Sequence, residues 1–374
     1  MERHIYKGKL TQFHRLKIAK KEELTKNTFS LEFEIPHHLK KNFTFEAGQF
    51  VSIKFQAGST EVINDYSMTS APHEEKIALG IKVNSPRGAA LQLFENYREG
   101  DELWVSEPSG RFTLIAKPSE FRTIVGFAAG IGITPILSHF KNILYNEPRT
   151  RLFLFFGNKN SDELIFRDEL DHLARKYNDR LQIFYFYSQE KTSNTFFQGR
   201  LDDKKLSLII NQILHLDDTD EESTIWDAVD EVLICGKGEM IKTLANACHH
   251  HGIPKKNIHF ELFEAFNDDI YPVEKKFPLI ENIEVEFTLS GKKYSATLPD
   301  NKEKILQQLL IQKFPVPYSC KSGICGSCEC ILEEGEAELL ENEYLTEKEE
   351  QKGHILACMS IAKSRKIKLN FDLS

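Results

Sequence analysis

Cys320, Cys325, Cys328 and Cys358 constrain this chain more tightly than any other feature of it. The first three give C-x4-C-x2-C and the fourth lies beyond a further strand and helix, a spacing that suits four thiolates around a plant-type [2Fe-2S] centre. Ser322, Gly323, Gly326 and Ser327 are small enough for the intervening loop to wrap closely and aim backbone N–H groups at negative sulfurs. A zinc site or reduced core thiols are the competing readings, but zinc sites more often repeat C-x2-C pairs and only one such pair occurs here. Cys330, two residues past Cys328, reads as a bystander thiol on a strand. Cys235 and Cys248 stand alone, and an odd total of 7 cysteines does not read as a disulfide framework.

A length of 374 residues predicts two or three domains. The rhythm of the sequence divides it in that way. From Lys9 to about Leu114, short alternating runs such as Phe50 to Phe55 and Ile77 to Val83 are separated by Gly, Pro and Asn turns, which predicts an antiparallel β-barrel or sandwich interrupted by one helix from about Ala89 to Tyr97. From about Phe121, apolar strands (Thr123 to Phe127, Leu152 to Phe156, Gln182 to Tyr187, Glu231 to Cys235) alternate with helices (Pro135 to Tyr145, Glu163 to Tyr177, Gly238 to His250). That alternation predicts a doubly wound parallel α/β sheet of the nucleotide-binding kind. The polar, proline-bearing stretch from Asn267 to Pro278 reads as a linker. Two alternating strands, Glu284 to Leu289 and Lys293 to Leu298, and a helix from about Lys302 to Phe314 open the last unit. The boundaries that follow are 1–116, 117–266, a linker at 267–282, and 283–374.

A formal charge of -8 argues against nucleic acid as a partner, since phosphates demand a basic face. No stretch is long and apolar enough to span a bilayer and the first residues lack the apolar core of a signal peptide, so the expected location is cytoplasmic and the chain is not expected to be an integral membrane protein.

Pro317 to Cys328, followed by Gly353-His354-Ile355-Leu356-Ala357-Cys358, closely resembles plant-type ferredoxins, which implies an α+β β-grasp fold for the last unit. The nucleotide unit carries Ala128-Ala129-Gly130-Ile131-Gly132-Ile133-Thr134-Pro135 between strand and helix, with Thr134 expected as N-cap and Pro135 as first helical residue. Glycines at such a turn let a pyrophosphate meet the backbone and the positive end of the helix, although close helix packing would also explain them. With Phe156 to Asn160, Ile165 to Leu170, Leu233 to Met240 and Glu261-Leu262-Phe263 in that order, the first two units resemble the ferredoxin-NADP reductase superfamily.

That resemblance implies site residues. Gly130, Gly132 and Thr134 would hold the pyrophosphate, Cys235 and Gly236 would lie beside the nicotinamide, and Phe263 would cover one flavin face. Lys237 stands where many relatives have proline. Asp65-Tyr66-Ser67-Met68 resembles the flavin motif R-x-Y-S, in which Tyr66 packs on the ring and Ser67 bonds to it, but Asn64 stands in the arginine's place and Asp65 adds negative charge near the expected phosphate. The second flavin motif, G-x-x-S ahead of a helix, is shifted to Arg87-Gly88-Ala89-Ala90 and lacks its serine. A loosely held flavin is therefore expected unless Arg87 or Arg111 compensates, with FAD favoured over FMN. After the third strand, Ser188-Gln189-Glu190-Lys191 lacks an arginine for a 2'-phosphate, which tilts the donor toward NADH, with Lys191 or Lys159 able to substitute.

A hydride carries two electrons and a [2Fe-2S] centre accepts one, so a flavin must stand between them. The expected function is an electron-transfer reductase, with Cys235 and Ser67 at the hydride step and an oxygenase, hydroxylase or desaturase component as acceptor. A diaphorase-like reductase of small oxidants, and a non-turnover redox sensor or assembly subunit, are the alternatives. The glutamate-rich stretch from Glu329 to Glu350, relieved only by Lys348, reads either as a solvated face or as a docking surface for a basic partner. His249, His250 and His251 are expected to cap a helix C-terminus.

Overall fold

A computed structural model describes residues 2–6, 9–58, 60–86, 88–214, 225–264, 266, 268–271, 277–318, 321, 323, 326–342 and 344–373, with side chains from residue 12 onward. Its contacts divide the chain into two compact units, one holding Gln12–Phe263 and the other Glu264–Ser374. Among the described residues, no helix is long and apolar enough to cross a membrane.

After β1 (Glu2–Tyr6), antiparallel strands β2 (Lys9–Thr25), of which the first unit holds Gln12 onward, β3 (Thr28–Glu34), β4 (Phe50–Ala57), β5 (Thr60–Ser67), β6 (Ile77–Lys82) and β7 (Glu102–Ser106) build the first unit's opening sheet, with helix α1 (Ala89–Asn96) before the last. Their main order is β5-β4-β7-β2-β3-β6. A bridge between Met68 and Leu79 joins the end of β5 to β6, which closes the sheet into a barrel. Strict alternation explains the strands: Phe29, Leu31 and Phe33, with Ile77, Leu79 and Ile81, face the core while Glu32 and Glu34 do not. Leu93 of α1 plugs the same core.

In the same unit, β8 (Thr123–Ala129), α2 (Ile133–Asn146), β9 (Arg151–Asn158), α3 (Arg167–Lys176), β10 (Leu181–Tyr187), α4 (Asp203–Gln212), β11 (Glu231–Gly236), α5 (Gly238–His250) and β12 (Ile258–Leu262) alternate. The sheet order is β10-β9-β8-β11-β12, with every pair parallel. Strand order reverses between β8 and β11, and ligands of such sheets bind at the carboxyl ends there.

Two expectations are corrected. The helix placed at Glu163 to Tyr177 begins only at Arg167, because Asn160 caps a short turn at Ser161–Glu163 and Leu164 and Ile165 are then drawn into the core, with Phe166 at φ 58°. Thr134 does not cap α2. The turn Gly130–Gly132 runs directly into the helix, making Gly132 the cap, and the Thr134 hydroxyl instead donates to the Ile131 carbonyl at 2.9 Å. The sequence reading passed over helix α4, which buries Leu206, Ile209 and Ile210 at helical spacing, and strand β12, which alternates buried Ile258 and Phe260.

Barrel and nucleotide sheet meet along a built seam. Phe112, at the end of the barrel signature, is buried among the residues of the parallel sheet's core, and its carbonyl is 2.8 Å from Nε2 of the buried His139. The Ser138 hydroxyl donates to the Ser70 carbonyl at 2.6 Å, and Lys141 pairs with Glu74 at 2.8 Å. A side chain at Gly80 would lie 2.8 Å from Thr134 Cγ2, so only glycine lets β6 approach α2 this closely.

The second unit holds β13 (Glu281–Leu289), β14 (Lys292–Asp300), α6 (Ile305–Ile311), β15 (Glu329–Glu334), β16 (Ala337–Leu339), α7 (Glu347–Gln351), β17 (His354–Leu356), β18 (Ser360–Ala362) and β19 (Lys366–Asn370). Its main sheet runs β14-β13-β19-β15-β17, with β13 parallel to β19, and Ile305, Leu306 and Leu309 of α6 are buried in the shared core. This is the β-grasp layout. Helix α6 is shorter than the expected Lys302 to Phe314, because Lys304 is still extended and Lys313 turns left-handed at φ 65°. Within the 267–282 stretch, Ile270 and Tyr271 are buried; residues 267 and 272–276 lie outside the described residues.

Candidate functional site

At the switch point the two glycines of the Gly130 to Thr134 turn do different work. Gly130 sits at φ 52°, a conformation that disfavours a side chain, and a Cβ there would meet nothing within 4 Å, so this backbone is open to a ligand. Gly132 is a packing glycine, because a Cβ there would fall 2.2 Å from the Cys235 carbonyl oxygen. Gly236 is similarly tight against Met240 and Ala129. Close packing therefore accounts for Gly132, and it does not account for Gly130.

Cys235 is fully buried on β11, in register between Ala128 and Glu261. Burial, and then the neighbouring Glu261 carboxylate, push its thiol well above the ordinary cysteine range. It is a neutral thiol at any working pH, a wall and weak donor and not a nucleophile. The Ser67 hydroxyl donates to Glu261 Oε2 at 3.0 Å, which brings the flavin motif of β5 to the carboxyl end of β12. Glu261 is a residue to which the sequence reading gave no role of its own. Its signal was a carboxylate inside a parallel strand, two residues before Phe263, where an unneeded charge would be costly. Phe263, just past β12, is 41% exposed and offers a free ring face.

On β5, Tyr66 and Asn64 share a face, with Asn64 Nδ2 donating to the Tyr66 hydroxyl at 3.4 Å. Burial raises the pKa of Tyr66, so it stays a neutral phenol. Strand alternation turns the Asp65 side chain to the opposite face, where its carboxylate accepts the Ser52 hydroxyl at 2.6 Å, while its charge is still felt at Tyr66. Met68 is buried in the barrel core and its N–H donates to the Gln49 carbonyl. Gly88 caps α1, with Ala89 and Ala90 in its first turn and no side-chain cap bond. Arg87 lies outside the described residues. The aromatic face, hydroxyl and helix end suit a flavin ring and its tail; position 64 supplies no cation to the phosphate.

Beyond β10, the N–H groups of Ser188 and Gln189 donate to the carbonyls of Asn158 and Lys159. Glu190 is fixed by the Ser161 N–H at 2.6 Å. Lys159 is 3.2 Å from Glu163, so its charge is already matched, and Lys191 is exposed.

In the second unit, Cys328 and Cys358 are buried together, and the Cys358 N–H donates to the Cys328 sulfur at 3.4 Å. Lys321, Gly323 and Gly326 all adopt left-handed backbone (φ 55°, 74° and 63°), the conformation that turns successive N–H groups inward around an anion. A Cβ on Gly323 would lie 2.9 Å from Met359, so the loop is also wrapped tightly. Cys320, Cys325 and Ser322 lie outside the described residues. The described half of the loop fits a thiolate-held cluster. Cys330 lies opposite Ile355 in the sheet core, where burial drives its thiol far up, as a bystander would be. Cys328 precedes β15 in a turn, so the two do not share a strand face.

The acidic stretch is not relieved by Lys348 alone. Lys368 of β19 is 3.0 Å from Glu333 and 3.6 Å from Glu334, Lys363 pairs with Glu338, His354 with Glu329, and Glu349 closes a capping box on Thr346. The histidines end α5 as expected, with His251 as its C-cap and its carbonyl accepting the Trp226 N–H.

Comparison with known proteins decides the family. Family models match in order: an oxidoreductase FAD-binding domain at residues 15–114, an oxidoreductase NAD-binding domain at 127–246, and a 2Fe-2S iron-sulfur cluster binding domain at 287–363. The chain is a ferredoxin-NADP reductase superfamily flavoprotein with a C-terminal [2Fe-2S] domain. This reductase is 27% identical to one of the subunits of the 1,2-phenylacetyl-CoA epoxidase of Escherichia coli (strain K12), over 97% of this chain and 99% of that one. It is 27% identical to the 3-ketosteroid-9-alpha-monooxygenase ferredoxin reductase component of Rhodococcus rhodochrous, covering 93% and 94%. Among solved structures it resembles phthalate dioxygenase reductase, described as a modular structure for electron transfer from pyridine nucleotides to [2Fe-2S], with 26% identity, a TM-score of 0.52, and 96% and 98% of the two chains covered. The reductase is thus an NAD(P)H-dependent oxidoreductase that uses FAD and a [2Fe-2S] cluster.

Proposed function

We propose that this reductase delivers electrons from NAD(P)H to a protein acceptor, an oxygenase, hydroxylase or desaturase component, in the cytoplasm. When bound, the flavin supplies two-electron entry with single-electron exit, and the cluster the one-electron outlet. The chain's own residues position the partners. Gly130, Gly132 and Thr134 admit the pyrophosphate, and Cys235 with Gly236 walls the nicotinamide. Tyr66, Ser67 and the Met68 backbone meet the flavin ring, Phe263 covers it, and Arg87, Gly88, Ala89 and Ala90 take its phosphate end at α1. Cys320, Cys325, Cys328 and Cys358 hold the cluster. The boundaries 1–116, 117–266 and 283–374, with 267–282 between them, are the corresponding domains.

The observation that carries the reading is the Ser67–Glu261 hydrogen bond beside Cys235, because it draws the flavin motif to the carboxyl end of the nucleotide sheet. The acceptor class is supported by relatives that belong to epoxidase and monooxygenase systems, among them ferredoxin reductase components. The absence of an arginine in Ser188-Gln189-Glu190-Lys191 and the fixed Glu190 favour NADH. Anaerobic titration of the FAD-supplemented protein with NADH and, separately, NADPH, followed by absorbance and EPR, tests it. Reduction of flavin and cluster together is expected, at lower concentration with NADH; no cluster reduction by either nucleotide would refute the proposal. Because so many of the acidic side chains are paired internally, a stand-alone reductase of small oxidants is the second reading. It requires that cluster removal leave every acceptor's reduction rate unchanged.

A further inference from the structure

The side chains of helix α1 support neither of its own ends. Its 8 residues make little more than two turns, a length that is marginal in isolation. No acidic residue stands in its first turn and no basic residue in its last, where Glu95 adds charge of the unfavourable sign. The missing cation comes from strand β2. The half-buried Lys21 donates from Nζ to the Phe94 carbonyl and, at 2.7 Å, to the Tyr97 carbonyl, and the same ammonium lies 4.5 Å from the centre of the Phe94 ring. Its backbone N–H donates to Glu99 Oε1 at 2.8 Å, just past the helix. Phe94 in turn packs on Phe29 of β3, and the Tyr97 hydroxyl accepts the Gln56 N–H of β4 at 3.1 Å. One lysine and two rings therefore fasten the carboxyl end of α1 to the barrel.

At the amino end, Gly88 is the cap and makes no side-chain bond, the Leu91 N–H reaches back to the Gly88 carbonyl at 3.1 Å, and the N–H groups of Ala89 and Ala90 have no acceptor within the helix. Both Lys21 and α1 lie within the FAD-binding domain. An anion that meets those N–H groups gains from the positive end of the helix, and gains more when a cation has neutralised the negative end. In a helix this short, order in the last turn also sets order in the first. We propose that Lys21 is a positioning residue for the flavin: by holding the carboxyl end of α1 it keeps the N–H groups of Ala89 and Ala90 aligned for the cofactor's phosphate, and so offsets the serine and arginine that the flavin motifs lack. This role rests on the phosphate assignment at α1 given above, and it acts through the helix and not by contact with the cofactor.

The test uses the full-length protein stripped of flavin and titrated by fluorescence with riboflavin, which has no phosphate, and with FMN and FAD. Lys21→Met keeps the apolar stem and removes the charge. It is expected to weaken FMN and FAD about tenfold, to leave riboflavin within about twofold, and to leave the visible spectrum of the bound flavin unchanged at saturation. Lys21→Arg keeps a cation for the same carbonyls and should stay near the parent. A loss shared equally by riboflavin, or a shifted flavin spectrum, would reduce Lys21 to part of the barrel's framework and overturn the proposal, as would FMN and FAD affinities at the parent value. Where Lys21→Met does not fold, Lys21→Gln, which retains a donor for the carbonyls, decides in its place by the same selective loss, about threefold. Ala90→Asp tests the underlying assignment separately: an acid in the first turn suits the helix but repels phosphate, so it should weaken FMN and FAD and spare riboflavin. Unchanged FMN and FAD affinity in Ala90→Asp would sink the phosphate assignment at α1 itself. With that assignment standing, an unselective or absent loss in Lys21→Met sinks the positioning role alone.

Discussion

The cluster loop proposed in the second unit and the flavin strand proposed in the first would each hold a redox group, yet they would depend on side chains in opposite ways. Thiolate ligation is a set of covalent-like bonds, so the proposed site would demand cysteine at Cys320, Cys325, Cys328 and Cys358. Flavin binding is distributed over an aromatic face, a hydroxyl, backbone groups and a helix end. Strand β5 can therefore carry Asn64 in place of the motif's arginine, and α1 can carry Ala90 in place of its serine, while the barrel keeps its shape. Ligation conserves letters and contact conserves form.

The contrast can be broken most forcefully at a ligand. Cys358→Ser should remove the cluster and lower electron delivery to a one-electron protein acceptor by on the order of 100-fold or more, while NAD(P)H still reduces the flavin. Iron content and stopped-flow flavin reduction check it, and a fully loaded cluster in that variant would break the comparison.

The next effect separates the stabilities of the two units. Burial depresses the pKa of His139 from the ordinary 6.5 to about 4, against a weaker opposing bond from the Phe112 carbonyl. Between these values the unfolded chain binds the proton and the native seam does not, so stability is intact above pH 6.5 and is lost as pH falls toward 4. The loss amounts to about 3 kcal/mol in all. Calorimetry from pH 7 to 4 should show the first unit's transition falling, and His139→Gln should flatten that dependence.

A smaller effect tests the flavin strand directly. Asn64→Arg should strengthen flavin binding by about 1.5 to 3 kcal/mol, roughly 10- to 100-fold, by restoring a charge-assisted contact to phosphate. Dialysis followed by flavin fluorescence measures it. No change in affinity would mean that a cation elsewhere already fills the role.

Smallest is the loss of one positioning bond. Ser67→Ala should slow hydride transfer about tenfold, the cost of a single hydrogen bond to a charged group, with the cluster's EPR signal unchanged. Glu261→Gln retains an acceptor for the Ser67 hydroxyl and should fall between that variant and the parent.

The sequence alone determined the ligand spacing, the order of barrel, nucleotide sheet and ferredoxin-like domain, and the strands whose alternation is regular, because these are properties of neighbouring residues: a metal selects its donor atoms and burial selects a period. Tertiary structure decided the rest. That Asp65 turns to Ser52, that Glu261 meets Ser67, that Gly132 packs against Cys235 while Gly130 stays open, and that Lys363 and Lys368 answer the acidic stretch all depend on register between segments far apart in the chain. Register is set by the packing of the whole unit, and no window of sequence contains it.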